Sequence, residues 1–455
     1  MRRYGLVLSV VLACAPTVEA QSVADHPRVR EAVGLIDVWL DAQRAYESIP
    51  GISAAIVHDQ EVIWIGASGY ADPESKMPAT TGTAYSICSI SKLFTAVGVM
   101  QLRDAGELRL DDPVSDLLPW FDIQQTYEHS PPVTVQGLLT HSSGLPRESE
   151  HSYWIEPFDF PTRDEVVQRL GEQEMLYPAD RYYQYSNLGL TLAGEVVAEV
   201  SGTPFSEYMR AHILDPLGMR STWPDIGEYP FPDRLAVGYG STRRDGSRSR
   251  MPPFAAEGIA PAAGFASTVE DMARFVSAQF REGTRGGDRL LSTASLREMH
   301  RVRMLETTWT RGQGIGFSVQ RIDGRLYVGH GGGYPGYTTY TMIQLDDEVA
   351  TIALTNTNDS NPSQIARELM ETVGQAVAEA TTEEPAVVAW NPTWERFAGV
   401  YASRWGRTQV IVMNERLVTI NPWSSRSPSE TAVDDKKSEI STSASCAKSV
   451  AARSP

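Results

Sequence analysis

Apolar positions change their period twice in the first third of the chain. From Pro27 to Tyr46, Val29, Ala32, Ile36, Trp39 and Leu40 recur every three or four residues, a helical stripe that ends before Pro50-Gly51. Ala54 to Val57 and Val62 to Ile65 are short apolar runs around His58-Asp59-Gln60, which predicts two strands joined as a hairpin. From about Ile90 to Leu305 helical patterns dominate, broken by loops rich in proline and glycine. Strand signals return at Gly316 to Ile322, Leu326 to Val328, Tyr337 to Gln344 and Val349 to Leu354. A last helix is predicted from Pro362 to about Ala380.

The two ends of this segment therefore supply strands and terminal helices, and its middle supplies the helices between them. The expectation over residues 21–380 is an α+β body. One antiparallel sheet is flanked by the terminal helices, a large, mostly helical insertion joins its halves, and a cleft lies where the two lobes meet. Residues 381–391, which include Thr381-Thr382-Glu383-Glu384-Pro385, read as a linker. Residues 392–423 read as the truncated start of a small β-domain, with strands at Trp394 to Tyr401 and at Gln409 to Ile420, the second turning at Asn414-Glu415. Residues 424–455 hold ten serines, no aromatic residue and three of the chain's five lysines. That composition cannot bury enough apolar surface to order itself. The segment reads as a shifted reading frame that cuts the β-domain short, or as a natural disordered tail.

The N-terminus has a pattern of its own. Met1-Arg2-Arg3 precedes an apolar stretch from Tyr4 to Ala15, and Val18-Glu19-Ala20 puts small residues before Gln21. A basic start, a short apolar middle and small residues at the cut predict a signal peptide over residues 1–20, and a periplasmic or secreted location. Cys14 after Val11-Leu12-Ala13 is a poor version of a lipoprotein box. No apolar run reaches the ~20 residues that span a bilayer.

Charge and chemistry narrow the function. Forty basic against 57 acidic side chains leave a net charge of −17, a surface that repels phosphate backbones, so no nucleic-acid partner is expected. Three cysteines are too few for a disulfide framework, and the eight histidines fall at no metal-ligand spacing. Gly331-Gly332-Gly333-Tyr334-Pro335-Gly336 matches Gly-x-Gly-x-x-Gly. That fingerprint must open a helix, whereas Tyr337 to Tyr340 reads as strand, so a nicotinamide or flavin is unsupported. The expectation is no cofactor and no metal, with a small molecule or short peptide as the partner.

Three short motifs carry nucleophilic chemistry. In Ser89-Ile90-Ser91-Lys92, opening an apolar helix, positions i and i+3 bring the amine and the hydroxyl within roughly 5–6 Å at Cβ. A neutral lysine can take the proton of Ser89, which means moving its pKa from ~10.4 to near 7, roughly 4 kcal/mol of burial and neighbouring charge. The helix start adds N–H groups that favour negative charge beside Ser89. In Tyr185-Ser186-Asn187, the tyrosine can hold or relay that proton and Asn187 can orient a substrate amide or carbonyl. A loop tyrosine beside a helix-capping asparagine gives the same string. In His330-Gly331-Gly332-Gly333, glycine lets a ligand backbone approach, and an N–H from Gly333 with that of Ser89 makes an oxyanion hole. Gly332 lies along the same edge and His330 adds a polar group; a surface histidine in a glycine turn reads identically.

In this order and spacing, the motifs resemble the serine β-lactamase and penicillin-binding protein superfamily, in its class C-like branch of β-lactamases, DD-carboxypeptidases, D-aminopeptidases and esterases. The resemblance covers roughly residues 30–380. It extends to Leu110-Asp111-Asp112-Pro113, Leu138 to Pro146 and Gly264 to Thr268, which read as caps, turns and pocket walls. It implies a β-lactamase/transpeptidase-like fold, an acyl-enzyme on Ser89, proton transfer by Lys92 and Tyr185, and substrate binding by Asn187, His330, Gly332 and Gly333. It also implies hydrolysis of a peptide, ester or β-lactam, or a penicillin-acylated sensor that never turns over. His330 stands where true class C β-lactamases have the lysine of Lys-Thr-Gly, and Gly331 lacks the hydroxyl that there helps grip a substrate carboxylate, so efficient β-lactam hydrolysis is not expected. Glu148 to Pro161, with Tyr153, Trp154, Phe158 and Phe160, reads equally as an apolar pocket lip or as core packing.

Overall fold

The computed structural model describes residues 22–149, 153–252, 254–280, 290–381, 390–403, 406–413 and 416–420, with strand backbone at 429–434, 439–442 and 452–453. The expected signal segment lies outside them. Residues through Thr382 form one compact unit and those from Glu383 a second.

The sheet of the first unit is built by both ends of its chain. Helix α1 (Pro27–Tyr46) leads into β1 (Gly51–His58), β2 (Glu61–Asp72), β3 (Met77–Pro78) and β4 (Ala84–Ser86). After the insertion, which contributes β5 (Ala266–Thr268), come β6 (Met304–Leu305), β7 (Arg311–Gln313) and β8 (Ser318–Ile322). Strands β9 (Arg325–Tyr334), β10 (Tyr337–Gln344) and β11 (Val349–Thr355) follow. The order across the nine-stranded antiparallel sheet is β3-β2-β1-β11-β10-β9-β8-β7-β6, so β1 and β11, from opposite ends of the unit, pair inside it, Ala54 opposite Ala353.

Strand β1 is apolar on both faces because both are covered. Ile52, Ala54 and Ile56 meet Val29, Ile36 and Leu40 of α1 and the C-terminal helix, whereas Ala55 and Val57 join the core of the insertion. The period-two alternation of strand side chains makes that division.

The insertion holds α2 (Ser91–Ala105), α3 (Val114–Leu117), α4 (Val135–Leu139), α5 (Arg163–Leu170), α6 (Asn187–Ser201), α7 (Phe205–Met209), α8 (Ala260–Ala263), α9 (Val269–Ser277) and α10 (Thr293–Met299). Only α2 and α6 are long, and each ends at a glycine with positive φ, Gly106 at 80° and Gly202 at 65°, where a left-handed residue closes the helix. Both are buried over most of their length, as helices apolar all round must be. The predicted final helix is α11 (Pro362–Leu369), a π turn at Met370–Gly374 and α12 (Gln375–Thr381).

Three elements differ from expectation. Strand β2 runs on to Asp72 through Gly66, Ser68 and Gly69, which give no apolar signal. Strand β9 continues past Val328 to Tyr334 and takes in the whole glycine run; it pairs with β10 and no helix follows it. The expected strand at Trp394 to Tyr401 is a 3-10 helix, Pro392–Phe397, followed by β12 (Gly399–Ser403).

In the second unit β12 pairs with β13 (Gly406–Met413), and β13 with β14 (Arg416–Ile420), Met413 opposite Arg416, around the expected turn, whose two residues lie outside the described set. Within 424–455, expected from composition to lack order, the described backbone at Ser429–Asp434 and Glu439–Thr442 is paired antiparallel.

Candidate active site

Ser89 sits in a 3-10 turn, Cys88–Ile90, that feeds directly into α2. Two contacts fix this turn against β5. The Ile87 N–H donates to the Phe265 carbonyl at 2.9 Å, and the Ser91 hydroxyl accepts from the Phe265 N–H at 3.0 Å. Cys88 takes φ of 43°, a left-handed conformation costly for a residue with a side chain, and its bend turns the next hydroxyl outward. From Thr83 to Met100 every residue is buried except Ser89.

One turn along α2, the Lys92 ammonium lies 3.1 Å from Ser89 Oγ and 2.8 Å from the Ala262 carbonyl oxygen, with no exposed surface. Burial pushes its pKa down to about 7; the positive Arg147 works in the same direction, and Glu148 against it. Such an amine is partly neutral at neutral pH and can accept a proton from the adjacent hydroxyl. The Tyr185 hydroxyl donates to the same Ser89 oxygen at 3.1 Å, and its ring lies 5.0 Å from Lys92 Nζ. Burial raises the Tyr185 pKa well above its ordinary value, so the phenol stays protonated and can donate a hydrogen bond.

Strand β9 forms the opposite wall. A Cβ on Gly332 would come within 2.2 Å of the Ile87 carbonyl oxygen, so this backbone approach needs glycine, whereas nothing stands within 4 Å of a Cβ built on Gly333. The Cys88 thiol donates to the Gly333 carbonyl at 2.9 Å, tying the turn that carries Ser89 to β9. His330 is buried, and its ring lies 6.2 Å from that of Tyr185. Its Nδ1 is 2.6 Å from the Gly331 carbonyl oxygen; a carbonyl only accepts, so Nδ1 carries the proton and Nε2 the lone pair. Burial, aided by the charge on Lys92, lowers its pKa to about 4, and the histidine is neutral at pH 7.

Asn187 is the first residue of α6, whose start is capped by Ser186 Oγ accepting from the Gly189 N–H at 2.8 Å. Its Nδ2 donates to Glu148 Oε1 at 2.7 Å, while Oδ1 is buried without a partner. The side-chain donor expected to orient a substrate carbonyl is therefore committed to a carboxylate. Glu148 also accepts from the Tyr153 hydroxyl at 2.5 Å and pairs with Arg147 Nε at 3.2 Å. The segment expected as a lip or as core divides. Tyr153 and Phe160 are buried; Trp154 and Phe158 are half-buried, and Phe158 and Phe160 stack on Phe254 at 5.0 and 5.5 Å.

Ser89, Lys92 and Tyr185 thus meet on one oxygen, with the β9 edge of His330, Gly332 and Gly333 across from them and Asn187 two residues beyond Tyr185. Sequence reasoning missed three contributors: the Cys88 thiol, the carbonyl of Ala262 on Lys92, and the Arg147–Glu148 pair. It read His141 only as part of a structural signature. That side chain is buried, packs with its ring 4.4 Å from that of Tyr185 at a 34° tilt, and accepts from the Ser186 N–H at 3.2 Å, bracing the tyrosine loop.

A family model described as beta-lactamase matches residues 36–373. "Beta-lactamase-like protein 2" of Dictyostelium discoideum is 30% identical over 231 residues, which are 49% of this chain and 42% of that protein. "Penicillin-binding protein 4" of Amycolatopsis lactamdurans is 28% identical over 326 residues, 70% of this chain and 83% of its own length. Among solved structures, the octameric penicillin-binding protein homologue from Pyrococcus abyssi superposes with a TM-score of 0.67 at 26% identity, over 90% of this chain and 89% of that one. The match extends over most of the chain, from α1 into the π turn after α11, and the chain belongs to the beta-lactamase family of serine hydrolases.

Proposed function

We propose that this protein is exported and cleaves amide or ester bonds through a covalent acyl-enzyme on Ser89. One observation carries the reading. A fully buried lysine amine and a tyrosine hydroxyl both lie 3.1 Å from the hydroxyl oxygen of a partly exposed serine, Ser89, just before a helix. Neutral Lys92 takes the hydroxyl proton as Oγ bonds to the substrate carbonyl carbon. The carbonyl oxygen takes up the negative charge beside the N–H groups of Ser89 and Gly333. The proton then passes from Lys92 or Tyr185 to the leaving amine or alcohol as its bond to carbon breaks. Water repeats the sequence on the acyl-serine, giving the acid and freeing Ser89.

The β9 wall argues for the kind of substrate. Neutral His330 and hydroxyl-free Gly331 present neither a cation nor a hydroxyl to a substrate carboxylate at that edge. Esters and peptides therefore fit better than efficient β-lactam turnover. The relative named for binding penicillin favours a second outcome, acylation without turnover. A panel of p-nitrophenyl butyrate, a D-Ala-D-Ala peptide and nitrocefin tests both. Steady turnover that Ser89→Ala abolishes supports the hydrolase; a single stoichiometric burst supports the acylated binder; undiminished turnover in Ser89→Ala defeats both.

A further inference from the structure

With the β9 wall uncharged, two cations lie against the ring of Tyr185: Lys92, which the proton chemistry uses, and Arg147, which it does not. The backbone of Arg147 is pinned: its carbonyl accepts the N–H groups of Asn187 and Leu188, at 2.7 and 3.2 Å, at the first turn of α6. From that anchor its guanidinium lies 4.8 Å over the ring of Tyr185, the residue whose hydroxyl reaches Ser89. Glu148 engages its Nε at 3.2 Å, and the side chain is 59% exposed. A guanidinium offers five donors in a planar fork that matches a carboxylate, and the two terminal nitrogens here have no hydrogen-bond partner among the described residues. Glu148 is held by Asn187 and Tyr153, so it orients the fork and does not close it off.

We infer that Arg147 is the anion-binding residue of this site, and that the substrates are esters or amides carrying a carboxylate over Tyr185, on the side of the cleft opposite β9. This rests on the hydrolase reading and deepens it, replacing a grip at the β9 edge with one from the loop before α6.

Matched substrates test it. On the acyl side, p-nitrophenyl hemiglutarate is compared with p-nitrophenyl pentanoate; on the leaving side, 3-(butyryloxy)benzoate with phenyl butyrate. The unmutated chain is expected to prefer the anionic member of at least one pair by about 10- to 100-fold in kcat/KM, the scale of a charge-assisted contact, with KM carrying the difference. Added salt shrinks the preference. Arg147→Gln brings the ratio toward one, and Arg147→Lys restores only part of it because a point charge replaces the fork. Ser89-dependent turnover with no anionic preference in either pair, or a preference that Arg147→Gln leaves intact, overturns this inference alone. Failure to turn over any of these esters or a D-Ala-D-Ala peptide defeats the hydrolase reading, and this subsite with it. The comparison within the unmutated chain decides even where a variant fails to fold.

Discussion

The thiol of Cys88 donates to the carbonyl of Gly333 across the mouth of the site, 2.9 Å from sulfur to oxygen. It ties together the two backbone segments whose N–H groups are proposed to face a developing oxyanion. Cys88→Ala removes that tie. The expected effect is a kcat lowered by about tenfold with KM little changed, the scale of one hydrogen bond used in the transition state. Cys88→Ser keeps a donor and recovers most of the rate. Equal losses in both variants would mark the thiol as mere packing.

The depressed Lys92 sets the pH dependence. The amine acts when neutral, so kcat/KM on a neutral ester should rise with pH through about 7, the value to which burial lowers it. His330, lowered to about 4, adds no step above pH 5, and the raised Tyr185 keeps its proton into the alkaline range. A profile flat from pH 5 to 9 would contradict the assignment. Lys92→Arg, always protonated, is expected to lose at least 10²–10⁴-fold, the range for a removed general base.

That same lysine costs stability. Its folded pKa lies below the unfolded value, so at pH 6 the ammonium is charged in both states and the folded protein bears the full burial cost. The cost fades as pH climbs from about 7 toward the unfolded value of ~10.4. Lys92→Met should therefore melt higher than the unmutated chain at pH 6, with a gain that shrinks toward pH 10, while losing activity. Thermal melts across that range check it; a gain that grows with pH reverses the sign and refutes the cause.

His330→Lys places a cation on the β9 wall. Substrates with a carboxylate on that side, a D-Ala-D-Ala peptide or a penicillin, should then acylate faster by about tenfold or more, and neutral esters no faster. Steady-state kinetics on both classes reads the difference.

Much of this was legible in the chain. The period of α1, the doubly apolar β1 and the Ser-x-x-Lys spacing are local signals, and each fixes local geometry. The sequence pattern ends β9 at Val328 because three glycines in a row offer no side-chain alternation, although their backbone pairs with β10 as regularly as Val328 does. The commitment of Asn187 to Glu148 was not legible, since it joins residues 39 apart through a loop whose path no periodicity records. The same holds for Cys88 and Gly333, 245 residues apart. Hydroxyl and amine one turn apart can be read from a string; what faces them across a cleft cannot.

The central claim is that Ser89 forms the covalent bond. Reacting the intact protein with a fluorophosphonate, and mapping the adduct by peptide mass, tests it most directly. The account predicts one equivalent of label, carried by the peptide that contains Ser89 and absent from Ser89→Ala. Label on another residue, or undiminished labelling of Ser89→Ala, would contradict it.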